Sequence, residues 1–317
     1  MKYSRIVATG SYLPAKVLTN FDLEKILDTN DQWIRERTGI ERRHIAADDE
    51  TTVDLAERAV RAALESAQCK PEDVDLIVFG TTTPNLLFPN CGVLLQARLG
   101  CRGAPAFSVE TACSGFMYAL AVADKFVRAG EAKRALAIGA ETLSRITDWT
   151  DRSTAVLFAD GAGAVLLEPA EAPGILSTHL HADGTYWDLL YSGGGTDPAK
   201  PRRAITMTGN DVFKIAVNTL CKSIEEALAA NGLTCAALDW LVPHQANLRI
   251  IQATARRLEL PMERVITTVQ DHGNTSAASV PLALDVGVRS GKIRRGDLIL
   301  LEAFGGGFTW GSALIRY

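Results

Sequence analysis

A chain of 317 residues, 47% hydrophobic and 22% charged, has the composition of a folded globular protein and length enough for two domains with a large core. Its 33 basic and 37 acidic side chains leave a formal net charge of −4, which argues against a general nucleic-acid or membrane-surface binder, though a local basic patch is compatible. No apolar run of about 18 residues predicts a transmembrane helix, and six cysteines without C-x-x-C pairs or zinc-finger spacing read as reduced thiols.

The opening MKYSRIVATGSYLP has no long apolar stretch of signal-peptide type, so a cytoplasmic location is expected. In NDQWIRERTG, Trp33 and Arg37 are four apart and share a face if the segment is helical. An aromatic plane beside a guanidinium suits a nucleotide base and its phosphates, and an ordinary amphipathic helix is the plain alternative. TVDLAERAVRAALESAQ has helical spacing, and DLIVFGTT is a continuous apolar run suited to a buried strand.

In VETACSGFMYAL, Cys113 precedes the helical pattern GFMYALAVADKFVRAG, which Gly130 would cap. Unpaired N–H groups at a helix start favour a thiolate, and Ala112, Ser114 and Gly115 leave room for close approach. A buried structural thiol is the alternative. RALAIGAE and AVLFADGAGAVLLEP read as strands.

In the second half, THLHADG sets His179 and His181 on one strand face without a clear further ligand, so no metal site is expected. His244 follows the apolar strand of DWLVPHQANLR, where open parallel sheets place their ligand crevice. Arg249, Arg256 and Arg257 then fall on one helical face, a positive rim suited to an acidic partner. Asn274, in QDHGNTSAASVPLAL, stands at another helix start, where an N-cap is the plain reading; His272 is a rival imidazole. Gly305–Gly307 follow an apolar strand and would bring backbone N–H groups to an oxyanion.

The two halves resemble each other. Asp239 answers Asp75 at an offset of 164, while Gly291 answers Gly130 and Glu302 answers Glu141 at 161, which sets Asn274 opposite Cys113. This predicts duplicated α/β halves, 1–171 and 172–317, each offering one helix start to a shared site.

The segments DTNDQWIRERTGIERRHIA, ACSGF, STHLHADG, LDWLVPHQANLRII, HGNTSAASVPLAL and LLEAFGGGFTWGSALIRY, in this order, resemble the β-ketoacyl-acyl-carrier-protein synthase III family from end to end. The resemblance implies a thiolase-like five-layered αβαβα fold and a cytoplasmic homodimer. It implies acyl transfer from a short acyl-coenzyme A to Cys113, then decarboxylative condensation with malonyl-acyl carrier protein. His244 and Asn274 would be the catalytic partners, with the N–H groups of Cys113 and Gly306 as oxyanion hole. Thr29, Trp33, Arg37, Arg152, Phe213 and Asn247 resemble coenzyme A contacts, Trp33 and Arg152 as a sandwich around adenine.

Gln245, Ala246, Asn247, Leu248 and Arg249 resemble the carrier-protein docking segment, extended by Lys214, Arg256 and Arg257. Phe88 resembles the residue that crosses the dimer to bound the primer pocket. No cofactor is implied, coenzyme A serving as a substrate. Ser153 departs from an expected glycine, Thr111 from alanine and Ala159 from glycine. Alternatives are a specialised relative of secondary metabolism, a papain-like cysteine hydrolase with the same Cys, His, Asn order, and a silent binding protein of the same fold.

Overall fold

The computed structural model describes residues 3–317. Tyr3–Tyr12, Asp160–Ala170, Ala135–Thr142, Leu76–Gly80 and Ala106–Val109 form a five-stranded sheet in that spatial order. A four-stranded sheet orders Trp240–Pro243, Leu298–Gly305, Thr309–Arg316 and Ile175–Ala182. Leu76–Gly80 runs parallel to both of its neighbours, as Trp240–Pro243 does to Leu298–Gly305, and the outer pairs are antiparallel. A single parallel bridge from Leu241 to Val265 stands where the first sheet has its fifth strand.

Strand side chains alternate between faces, and here both faces are apolar. Leu76 and Val78 point to a central layer, whereas Ile77 and Phe79 point outward against Val53, Leu55 and Val60 of the helix Thr52–Ser66. The central layer holds two helices, Gly115–Ala129 and Ser279–Arg289, whose Phe116, Leu120, Ala283 and Leu284 pack between the sheets. On the far side, Cys221, Ile224 and Ile251 of helices Gly209–Ala229 and Leu248–Arg257 cover Leu298, Leu300 and Leu314. The result is the expected αβαβα stack. Among the described residues, no helix is long and apolar enough to cross a membrane.

Gly130 caps its helix at φ 82° as anticipated. The strand read as AVLFADGAGAVLLEP, however, begins only at Asp160, because Arg152–Ala155 is a helical turn and Phe158 instead bridges to Asn274. The register of the repeat also needs correcting. Ala112 and Ser276 have φ of 47° and 48°, and each turns the chain into a central helix, at Gly115 and Ser279. These pairs are 164 apart, so the residue answering Cys113 is Ala277 rather than Asn274. The offset of 161 at Gly130 and Gly291 arises because the second central helix reaches its terminal glycine three residues sooner. Close approach is allowed by Gly139, where a Cβ would lie 2.1 Å from the Ala277 carbonyl oxygen.

Candidate active site

Cys113 occupies the single turn Ala112–Ser114 that leads into the first central helix, and is 9% exposed. Left-handed backbone at a non-glycine residue is strained by about 1–3 kcal/mol, and Ala112 bears that strain directly before the thiol. Burial pushes the Cys113 thiol up to about 12; the Ser276 hydroxyl opposes this and the Glu141 carboxylate adds to it. The helix start draws in the thiolate direction, and no cation is among the influences on Cys113.

Glu141, fully buried at the end of its strand, accepts hydrogen bonds from the hydroxyls of Thr81, Thr82, Thr83 and Ser276 and from the N–H groups of Thr82 and Thr83. Burial nonetheless raises it to about 7.

His244 directly follows Pro243, and its N–H donates to the Glu302 carbonyl at 2.8 Å. The ring is 6% exposed, its Nδ1 lies 2.6 Å from Ser279 Oγ, and burial holds the imidazole down at about 3. It is neutral at any working pH. Asn274 is 5% exposed and its Oδ1 accepts the Ser276 N–H at 2.9 Å. That bond commits the carbonyl end of the carboxamide and leaves Nδ2, which has no acceptor among the described residues, as the donor end. Both ends of the second central helix's entry turn therefore orient the two side chains. His272, the rival imidazole, lies elsewhere, edge-on to His44 at 6.4 Å. His181 and His179 are engaged by Glu226 at 2.7 and 3.4 Å.

One cavity of about 650 Å³ brings Cys113, His244 and Asn274 together with Trp33, Arg37, Phe213 and Asn247. The N–H groups of Cys113 and Gly306 have no acceptor among the described residues. Gly305 lies so close that a Cβ there would stand 2.7 Å from the Cys113 nitrogen, so only glycine lets this loop pack against the Cys113 backbone. Cys113 is buried and Gly306 half-buried, and an unpaired buried N–H is costly.

The outer end of the cavity departs from expectation in two ways. The Arg152 guanidinium lies 4.8 Å from the Trp33 ring centre and donates to the Asp28 carbonyl at 2.7 Å. Arg37 also approaches Trp33, at 5.4 Å. Arg152 and Trp33 thus stack on each other, and a base enters between them only if Arg152 swings away. Thr29 does not line the cavity, and its Oγ1 is buried without a partner among the described residues. Ser153 does line it, with its hydroxyl turned back onto Asp151 at 2.7 Å. Asn247 caps helix Leu248–Arg257 through the Arg249 N–H and donates to the Arg37 carbonyl, so it tethers two walls of the cavity.

Of the docking segment, Arg249, Arg256, Arg257 and Lys214 are exposed, and none has a carboxylate within 4 Å among the described residues. Arg249 lies over the Phe213 ring at 5.7 Å. Gln245 is a correction. It is fully buried, donating to the carbonyls of Pro243 and Ile266 and accepting from the N–H groups of Thr268 and Val269. Its amide satisfies backbone groups of the loop before Asn274 and cannot meet a protein partner. Leu248 is half-buried against Gly39, and Ala246 faces the cavity. Phe88 is 85% exposed, beside Leu87 at 89%, and does not line its own chain's cavity.

Sequence reasoning missed Ser276 and Ser279, which orient the site, and the apolar wall of Leu190, Met207, Val212, Ala216, Leu220 and Phe304. The two serines carry only the ordinary signal of helix-start residues, whereas Phe304 was detectable from its place before the glycine loop.

Residues 107–184 match the family model described as 3-oxoacyl-[acyl-carrier-protein (ACP)] synthase III, and residues 228–317 match that described as its C-terminal part. The chain is 64% identical over 320 residues to beta-ketoacyl-[acyl-carrier-protein] synthase III of Xanthomonas campestris pv. campestris, covering 99% of this chain and 98% of that one. The crystal structure of 3-oxoacyl-[acyl-carrier-protein] synthase III from Aquifex aeolicus superposes with a TM-score of 0.95 at 48% identity, covering 99% and 100% of the two chains. The priming β-ketosynthase of the R1128 polyketide pathway superposes with a TM-score of 0.94 at 38% identity, covering 99% and 96%. With a relative this similar over almost its entire length, the chain belongs to the β-ketoacyl-acyl-carrier-protein synthase III family.

Proposed function

We propose that this chain is an initiating condensing enzyme of bacterial fatty acid synthesis. It takes a short acyl group, acetyl as the leading case, from coenzyme A onto Cys113. It then joins that group to malonyl-acyl carrier protein, giving 3-oxoacyl-acyl carrier protein, CO₂ and free coenzyme A. The observation that carries this reading is the single cavity that unites Cys113, His244 and Asn274 with the Trp33, Arg37 and Phe213 end.

In the first stage the Cys113 sulfur bonds to the acyl carbonyl carbon, the bond to the coenzyme A sulfur breaks, and the thiol proton leaves with coenzyme A. The N–H groups of Cys113 and Gly306 hold the oxyanion. In the second, the C–C bond to the malonyl carboxylate breaks and its electron pair becomes an enolate on the thioester. The enolate carbon bonds to the acyl group, the acyl–Cys113 bond breaks with its electron pair left on sulfur, and the thiolate takes a proton from solvent. Negative charge on the thioester oxygen calls for neutral donors, which suits the neutral His244 ring and the Asn274 Nδ2. A carboxylate there would repel it.

The exposed Lys214, Arg249, Arg256 and Arg257 are the docking surface for the acidic carrier protein in this reading. The homodimer covers Leu86, Leu87 and Phe88, three consecutive apolar side chains left exposed on one chain, and brings Phe88 to the partner's primer pocket. The setting is cytoplasmic. A specialised priming enzyme of secondary metabolism is the second reading, favoured only by the likeness to the polyketide priming synthase.

Incubation with a panel of acyl-coenzyme A thioesters, followed by intact-protein mass, tests the first stage; addition of malonyl-acyl carrier protein tests the second. Acetylation at Cys113 and a 3-oxobutanoyl product are expected. Preference for long or aromatic primers would favour the second reading, and no acylation at all would sink both.

A further inference from the structure

Ser279 opens the second central helix and is 1% exposed. Its Oγ has two neighbours within hydrogen-bonding distance: His244 Nδ1 at 2.6 Å and the Gln245 N–H at 3.2 Å. The Gln245 N–H is a donor and nothing else, so it uses one oxygen lone pair of Ser279. The hydroxyl hydrogen then has a single acceptor among the described residues, Nδ1 of His244. The opposite arrangement, with hydrogen on Nδ1, would set two N–H donors against one oxygen and leave a buried O–H without a partner. Buried hydroxyls are rarely left so, because the desolvation cost is unreturned.

We propose that Ser279 locks the tautomer of His244: its hydroxyl donates to Nδ1, so the ring hydrogen resides on Nε2, the nitrogen that has no partner among the described residues, on a ring that lines the cavity. His244 is thereby a hydrogen-bond donor toward the thioester oxygen and not a base. The proposal rests on the functional reading above for what His244 donates to, but not for the tautomer itself. Ser279 is a positioning residue and touches no substrate. It parallels the Ser276 N–H, which commits Oδ1 of Asn274 and so turns Nδ2 into the site. One entry turn, residues 276–279, would thus prepare both donors.

The test is long-range ¹H–¹⁵N NMR of the full-length enzyme labelled at histidine, which assigns the hydrogen-bearing nitrogen without any substrate. Wild type is expected to show Nε2–H at His244 from pH 6 to 8. Ser279→Ala should give a mixture of tautomers and a roughly tenfold slower condensation with malonyl-acyl carrier protein, with acylation of Cys113 by acyl-coenzyme A retained. Ser279→Thr, which keeps the hydroxyl, should retain the wild-type spectrum and most of the rate.

Hydrogen on Nδ1 in wild type, or an unchanged tautomer in Ser279→Ala, would overturn the proposal. So would equal condensation rates in Ser279→Ala and wild type. Should wild type show the Nε2–H tautomer yet fail to condense malonyl-acyl carrier protein, the functional reading fails and the tautomer lock stands. If Ser279→Ala does not fold, the wild-type spectrum and the Thr variant still decide.

Discussion

Glu302 provides a test of the energetics that needs no substrate. Its carboxyl is fully buried on the strand that receives the His244 N–H, and neither oxygen has a hydrogen-bond partner among the described residues. Burial pushes it from 4.5 up to about 8. The sign of the pH effect follows from linkage. Below about pH 4.5 the carboxyl is protonated folded or unfolded and costs nothing differential. Between 4.5 and 8 only the unfolded chain ionises, so stability falls by about 1.4 kcal/mol per pH unit, and above 8 the loss levels off.

At pH 7 the accumulated loss is about 3 kcal/mol. Glu302→Gln removes the titration while keeping size and polarity. Its melting temperature should match that of wild type near pH 5 and exceed it by roughly 5 °C or more at pH 8. Calorimetry of both proteins from pH 5 to 9, at one protein concentration, measures this. A difference that does not grow with pH would mean the carboxyl has water or an ion partner that keeps its titration ordinary.

Cys113→Ser should abolish acyl transfer from acyl-coenzyme A, seen as the absence of an acyl adduct in intact mass. Asn274→Ala should leave that adduct intact but slow decarboxylation of malonyl-acyl carrier protein by about 10²–10³; normal CO₂ release would remove Asn274 from its assigned role. Arg256→Ala and Arg257→Ala, both outside the cavity, should raise KM for malonyl-acyl carrier protein and flatten its salt dependence, with KM for acyl-coenzyme A unchanged. Arg249→Ala should raise both KM values, because this side chain also lies over Phe213 in the cavity wall.

The parts of this molecule legible in the sequence are those set by local chemistry. The helix Gly115–Ala129 shows its apolar face and its terminal glycine directly, and His244 is marked by the buried strand it follows. What was hidden depends on partners distant in the chain. The apolar run before Asp160 is buried in any arrangement, so its composition cannot tell strand from turn. Gln245 has the polarity of a surface residue, yet four backbone groups around Pro243, Ile266, Thr268 and Val269 need partners where no water reaches. The misaligned repeat has the same origin: matching terminal glycines set one register, while the positive-φ turns at Ala112 and Ser276 set another. Those turns decide the chemistry, because each ends a helix start against the shared cavity. Residue types alone identify a thiol, an imidazole and a carboxamide. Which of their atoms donates is decided by Ser276 and Ser279, through bonds visible only once the two halves have met.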